Sequence, residues 1–258
     1  MATVELAATV LGEGPPLIIL HGLLGSARNW AGVAQRLAER HAVHALDLRN
    51  HGASPWAETM AYNEMAADVL AYAAARGLGP AAVIGHSMGG KVAMQAALAR
   101  PEVVERLVVV DIAPVEYPPI NQPFIDALRS VDPAGAAQRR EVDARLAPLV
   151  PDLGIRQFLM QNLVAEGGGL RWRVNLPAID RAMPAISGFT APPGAAYGGP
   201  ALFLHGGRSD YVRPEHHPAI RALFPQARIQ AVAEAGHWVH AERPAEFLQA
   251  VQPFLAGG

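Results

Sequence analysis

Short apolar runs alternate with helical patterns in the first part of this chain, and this alternation constrains the fold more than any other feature. Mostly apolar runs of four residues occupy 17–20, 43–46, 81–84 and 107–110, and helical spacing fills much of the chain between them. Strands without a polar residue at every second position are typical of a parallel sheet covered by helices on both faces. The sequence therefore predicts an α/β fold.

The alternation stops after Asp111 and resumes with the apolar run 201–204. The segment between them, 113–199, is rich in proline, contains three consecutive glycines at 167–169 and shows short helical patterns without a convincing strand. An unstructured loop of this length is uncommon inside a compact domain. We therefore expect a core domain formed by 1–112 and 200–258, with 113–199 as a helical cap inserted over the sheet.

Composition and charge exclude several classes of protein. The 258 residues have a formal net charge of −2, which argues against a nucleic-acid-binding surface. The chain has no cysteine, so disulfides, thiolate metal sites and cysteine nucleophiles are excluded. No apolar stretch reaches the roughly 18 residues of a membrane span, and the start lacks a basic signal region. The expectation is a cytoplasmic protein, and nothing in the sequence indicates its oligomeric state.

The run 85–89, Gly-His-Ser-Met-Gly, follows one of the predicted strands and precedes a helical pattern rich in small residues. A strand–turn–helix of this kind holds a nucleophilic serine on a sharp turn, and glycines on both sides allow the backbones to approach closely. Ser87 is therefore the predicted nucleophile. Lys91 lies four residues later rather than three, so it does not complete a Ser-x-x-Lys site and is predicted to be a surface or packing residue.

A serine hydroxyl needs a base, and His237 follows the last predicted strand, 228–232. The carboxyl edge of a parallel sheet is where ligands bind in open α/β folds, so His237 is expected to reach Ser87 there. The other histidines show no third ligand at metal-binding spacing, and no metal site is predicted.

The histidine in turn needs a carboxylate, and two acids qualify. Asp210 follows strand 201–204 within the turn Gly-Gly-Arg-Ser-Asp, and Asp111 ends strand 107–110. Both lie at the carboxyl edge of the predicted sheet, and residue spacing does not decide between them. We favour Asp210 because its glycine-rich turn would otherwise have no evident use, and we keep Asp111 as the alternative.

A turn at 21–26, His-Gly-Leu-Leu-Gly-Ser, follows the first strong strand. It can direct the Leu23 amide toward the same point as the amide of Met88, and two such N–H groups would form an oxyanion hole. The turn lacks the Gly-x-Gly-x-x-Gly pattern, so no dinucleotide cofactor is predicted.

These motifs resemble the αβ-hydrolase superfamily over nearly the whole chain. Further runs are similar to the YbfF-type esterases, which are bacterial relatives of the mitochondrial abhydrolase domain-containing protein eleven. Asn50 is typical of that subgroup, whereas most of the superfamily has glycine there. The runs that show this closer similarity are 47–52 (Asp-Leu-Arg-Asn-His-Gly), 110–114 (Val-Asp-Ile-Ala-Pro), 172–176 (Trp-Arg-Val-Asn-Leu) and 236–240 (Gly-His-Trp-Val-His).

The resemblance implies an eight-stranded sheet with a helical cap, no cofactor, and hydrolysis of small carboxylic esters or acyl thioesters. Some members of the superfamily that share the serine nucleophile cleave carbon–carbon bonds or act as menaquinone-pathway lyases, and these activities remain alternatives. A non-catalytic binding protein is disfavoured because every expected catalytic group is present. In the cap, four large aromatic residues are candidates for lining an acyl pocket or for forming the cap's own core. These residues are Phe124, Phe158, Trp172 and Phe189.

Overall fold

The computed structural model describes residues 2–257 and consists of a seven-stranded sheet, a small hairpin and surrounding helices. The strands are β1 (Ala8–Leu11), β2 (Pro16–Leu20), β3 (Ala42–Leu46), β4 (Ala81–His86), β5 (Val104–Val110), β6 (Leu163–Glu166), β7 (Gly169–Trp172), β8 (Ala201–Gly206) and β9 (Ala227–Val232). The α-helices are α1 (Ala31–Leu37), α2 (Tyr62–Ala75), α3 (Met88–Ala99), α4 (Gln122–Ser130), α5 (Arg139–Leu146), α6 (Leu153–Met160), α7 (Leu176–Ser187), α8 (His217–Leu223), α9 (Val239–Glu242) and α10 (Pro244–Leu255). Two 3-10 helices span Ala27–Trp30 and Pro214–His216.

The large sheet has the strand order β1-β3-β2-β4-β5-β8-β9, and every neighbouring pair except β1 with β3 is parallel. Alternate residues of one strand enter two different apolar cores: Val109 packs into one core and Val108 into the other. Because both faces of the sheet are buried, its strands need no polar face. This confirms the α/β fold with a mostly parallel sheet. None of the helices within residues 2–257 has the length and apolar character needed to cross a bilayer.

The expectation of eight strands is wrong for the described residues, which form seven in this sheet. Residues 2–7, which precede β1, contain no strand. There the Val4 amide donates to Asp68 Oδ1 at 2.9 Å and the Ala7 amide donates to Ser54 Oγ at 2.8 Å. These backbone groups are bound by side chains, so they do not form a ladder with a neighbouring strand.

The segment between β5 and β8 contains helices α4 to α7, as expected, but it also contains a hairpin that the sequence pattern did not reveal. Strands β6 and β7 pair antiparallel around Gly167 and Gly168, whose φ angles are +60° and +81°. Positive φ at both central residues is the requirement of the tight hairpin turn that glycine satisfies best. The strands have only four residues each, too few for an alternating pattern to stand out.

Lys91 in α3 contacts two distant parts of this segment. Its side chain is 1% exposed, so it is neither a surface residue nor simply an apolar packing residue. The Nζ atom donates to the carbonyl oxygens of Val115 at 3.0 Å, Ser187 at 3.0 Å and Gly188 at 2.7 Å. An ammonium group has three donors, and here each one has an acceptor. Burial lowers the pKa of Lys91 to about 7. One side chain of α3 therefore connects the backbone at Val115 with the backbone at the end of α7.

Candidate active site

Ser87 lies between β4 and α3 with φ +52° and ψ −117°, a combination that non-glycine residues rarely adopt. The flanking glycines make this turn sterically feasible. A Cβ atom on Gly85 would lie 2.2 Å from the carbonyl oxygen of Gly89, and one on Gly89 would lie 2.4 Å from that of His21. The strained turn thus places the Ser87 side chain at the end of the strand, directly before the positive end of α3.

Asp111 is the carboxylate that contacts His237. Its Oδ2 atom lies 2.7 Å from Nδ1 of His237, and its side chain is fully buried at the end of β5, beside the strand that leads to Ser87. Asp210, which we favoured from the sequence, is exposed and forms no hydrogen bond or ion pair with His237 within residues 2–257. Of the two acids left open by residue spacing, the structure brings Asp111 to the histidine and leaves Asp210 outside.

The glycine-rich turn before Asp210 has another use, which explains why it misled the sequence interpretation. The Gly206 amide donates to Asp111 Oδ1 at 2.9 Å, and the Ser209 hydroxyl donates to Asp111 Oδ2 at 2.5 Å. The turn therefore binds the carboxylate of Asp111 and fixes its orientation. Its pattern indicated an important site, but the side chain that it supports comes from the neighbouring strand.

His237 is held by two further contacts. The ring of Tyr211 stacks on its imidazole with centroids 4.1 Å apart, and His86 Nε2 donates to the His237 carbonyl oxygen at 2.9 Å. Burial lowers the pKa of His86 well below its ordinary value, so this ring is neutral and has one N–H to donate. His86 was missed as a functional residue because the contact spans 151 positions in the chain.

The segment around Leu23 lies directly against Ser87. A Cβ atom on Gly22 would lie 2.9 Å from His86 Nδ1 and 3.4 Å from the Ser87 Cβ, so only glycine allows this approach. The amides of Leu23 and Met88, the predicted oxyanion donors, therefore belong to the two segments that meet at Ser87. Their role stays a prediction.

The buried side chains of His51 and Asn162 form hydrogen bonds with the backbone of the turn that contains Leu23. Leu24 has φ +59°, and its amide donates to His51 Nε2 at 3.1 Å. Its carbonyl oxygen accepts a hydrogen bond from Asn162 Nδ2 at 2.8 Å. Asn162 lies between α6 and β6, so the segment between β5 and β8 helps to position the turn.

The cavity at Ser87 has a volume of about 280 Å³ and includes His237 in its wall. Phe124 and Phe158 also line it, as two of the four cap aromatics were expected to do. Trp172 is buried, donates its indole N–H to the Val131 carbonyl oxygen and belongs to the apolar core. Phe189 packs on the edge of that core. Neither Trp172 nor Phe189 is among the described residues of the cavity wall.

Comparison with known proteins agrees with this architecture. The model of the alpha/beta hydrolase family matches residues 17–250. The chain belongs to the alpha/beta hydrolase family. It is 45% identical to the mouse (Mus musculus) sn-1-specific diacylglycerol lipase ABHD11 over 94% of this chain and 81% of that protein. It is 37% identical to esterase YbfF of Escherichia coli K12 over 93% of this chain and 92% of that protein.

A solved structure described as a marine microorganism esterase is also similar. It superposes with a TM-score of 0.96 at 38% identity and covers 98% of this chain and 100% of its own. The resemblance to the alpha/beta hydrolases and to the YbfF and ABHD11 subgroup is therefore confirmed.

Asn50, at a position where the family resemblance implied glycine in most members, adopts φ +67° in this chain. Its Oδ1 atom accepts hydrogen bonds from the Ala57 amide at 2.7 Å and from Asn175 Nδ2 at 3.0 Å. Asparagine tolerates the left-handed region better than most residues. The side chain that replaces glycine thus connects the loop after β3 to the start of α7.

Acid should destabilise this alpha/beta hydrolase through its buried histidines. Loss of hydration lowers the pKa of His51 and of His240 from 6.5 to about 3. Below pH 6.5 the unfolded chain therefore binds more protons than the folded one, and stability present above that pH is lost as the pH falls toward 3. At pH 5 we expect each of the two to lower the free energy of unfolding by ~2 kcal/mol.

Denaturant titrations at several pH values measure this effect. In His240→Gln, the free energy of unfolding should fall less steeply with decreasing pH, because an amide does not titrate in this range. This expectation holds whatever effect the substitution has on stability at neutral pH. A free energy of unfolding that stays constant from pH 7 to pH 5 would contradict the expectation.

Proposed function

We propose that this carboxylesterase-type hydrolase cleaves small carboxylic esters by acylation of Ser87, with His237 as the base and Asp111 as its acid. The observation that carries the proposal is the 2.7 Å contact between His237 and a fully buried Asp111, with His237 and Ser87 in the wall of one cavity. A carboxylate at Nδ1 keeps the proton on that nitrogen, which leaves Nε2 free to accept one.

In the acylation step, Ser87 Oγ attacks the ester carbonyl carbon while His237 Nε2 takes the hydroxyl proton. The amides of Leu23 and Met88 donate to the oxyanion of the tetrahedral intermediate. The bond to the alcohol oxygen then breaks, and His237 returns its proton to the leaving alcohol. A water molecule repeats these steps on the acyl-enzyme, which releases the acid and regenerates Ser87.

Apolar side chains dominate the cavity wall and support acyl chains of short to medium length. Four of these apolar residues come from the segment between β5 and β8, namely Phe124, Ile155, Phe158 and Leu159. An apolar pocket distinguishes substrates by about 1–3 kcal/mol per methylene. An acyl thioester has the same carbonyl geometry and is the closest alternative substrate.

A series of 4-nitrophenyl esters with increasing acyl length tests this proposal. We expect turnover by the wild type with a defined length optimum, and we expect Phe124→Ala and Phe158→Ala to move the optimum toward longer chains by opening the cavity. Phe189→Ala is the matched control because its ring does not line this cavity. An optimum that stays in place in both cavity variants would show that these rings serve only packing, and no turnover by the wild type would overturn the proposal itself.

A further inference from the structure

A second, larger cavity lies beside the one at Ser87. Its volume is about 920 Å³, and Arg28, Arg139 and Arg173 are part of its wall. We call it the basic groove. The two cavities share wall residues, so they lie next to each other. The shared residues are Asn29, Ile155, Phe158, Trp238 and His240.

Two carboxylates also line the basic groove, but backbone amides already bind both of them. Asp152 Oδ1 accepts from the Ile155 amide at 2.9 Å at the start of α6. Glu242 accepts from the Gly236 amide at 2.7 Å and from the Trp238 amide at 3.1 Å. These carboxylates have structural roles in α6 and in the loop that contains His237, and neither forms an ion pair with an arginine of the groove within residues 2–257.

The three arginines differ in whether their side chains already have hydrogen-bond partners in the protein. The guanidinium of Arg139 donates to the carbonyl oxygens of Met160 and Leu163. Within residues 2–257, the side chains of Arg28 and Arg173 have no hydrogen-bond or ion-pair partner. The guanidinium groups of Arg28 and Arg173 therefore have no direct protein partner among the described residues of this wall, in which Asp152 and Glu242 keep their negative charges.

The positions of Arg28 and Arg173 suit a ligand that enters between the core domain and the cap. Arg28 lies in the 3-10 helix Ala27–Trp30, directly after the turn that contains Leu23. Arg173 follows β7 in the inserted segment. A guanidinium presents a planar set of donors that matches a carboxylate or a phosphate, and a concave surface concentrates the field of its charges.

We propose that the basic groove binds an anionic group at the far end of the ester substrate, through Arg28 and Arg173. The inference rests on the proposed ester hydrolysis at Ser87. Phe158 and Trp238 line both cavities and supply apolar surface for the chain of such an ester. The substrate class is an ester whose apolar chain ends in a carboxylate or a phosphate.

Matched pairs of esters test this. Monoethyl adipate, suberate and sebacate are compared with neutral ethyl hexanoate, octanoate and decanoate, and ω-phosphonate analogues form a third arm. The measure is the ratio of kcat/KM for an anionic ester to that for its neutral partner. We expect the double variant Arg28→Gln, Arg173→Gln to lower this ratio by ~10–100-fold, the usual effect of losing hydrogen bonds to a charged group. The arm with the larger loss identifies carboxylate or phosphate as the preferred anion.

The control is the double variant Arg40→Gln, Arg221→Gln, which removes two exposed arginines outside both cavities and should leave the ratio within a few-fold. The proposal is overturned if the ratio does not change in the groove variant, which includes the case in which neutral and anionic esters lose activity equally. Calorimetric titration of Ser87→Ala with monoethyl suberate separates this result from a failure of the proposed function, because binding needs no turnover. Binding that the two arginine changes weaken supports the anion site even if no ester is hydrolysed, and binding that they leave unchanged contradicts it.

Discussion

Replacing Ser87 with alanine should lower ester turnover by roughly 10⁵–10⁶-fold, the largest effect we expect from any single change in this protein. The reason is that the acyl-enzyme cannot form without the hydroxyl oxygen. The substitution removes one atom at a position whose backbone is already strained, with φ +52°, so the fold should persist. Stopped or continuous assays on a 4-nitrophenyl ester, with a circular dichroism melt as the folding control, measure both properties.

A fluorophosphonate probe provides a second measurement on the same variant. The probe forms a covalent bond to an activated serine, so the wild type should be labelled at Ser87 and the variant should not. Stoichiometric labelling of Ser87→Ala would show that another residue is the nucleophile, whatever the turnover.

The second large effect concerns the acid. Asp111→Asn should lower turnover by roughly 10⁴-fold, because an amide in place of the carboxylate favours the wrong tautomer of His237 and cannot stabilise its charged form. The change keeps the shape of the side chain, because the remaining oxygen can still accept from the Gly206 amide while the new NH2 group donates to the Ser209 hydroxyl oxygen.

Asp210→Asn is the matched control, since it makes the same chemical change at an exposed residue of the neighbouring turn. It should stay within a few-fold of the wild type. If Asp210→Asn abolished turnover and Asp111→Asn did not, the original preference from the sequence would be restored and the proposed triad would be wrong.

Much of the fold could be predicted because its signals are local. The apolar runs 17–20, 43–46 and 81–84 lie within the strands β2, β3 and β4. The hairpin β6–β7 and the absence of a strand in residues 2–7 could not be predicted in this way. The hairpin has strands of four residues, and the first residues are bound by the side chains of Asp68 and Ser54, which lie far away in the chain.

The candidate site likewise has one part that the local sequence indicates and another part that depends on long-range contacts. The turn at Ser87 is determined by the sequence itself, because a strand, two glycines and a helix within ten residues permit few other backbone paths. The supporting contacts of His86, Lys91 and Asn162 link residues that are 24 to 151 positions apart. No local pattern records such contacts, so these residues were not recognised as parts of the site.

Which of the two carboxylates contacts His237 was decided only by the tertiary structure. By sequence, Asp111 and Asp210 are equivalent, since each follows an apolar strand of a parallel sheet. The order of the strands places β5 between β4 and β8, and φ +53° at Asp111 turns its buried carboxylate toward His237. The donors that hold this carboxylate come from the turn that contains Asp210. The sequence by itself determined which residue types reach the carboxyl edge of the sheet, because strand and turn propensities are local. Which of them contact each other depended on strand order and on side-chain direction, which arise only when distant segments pack together.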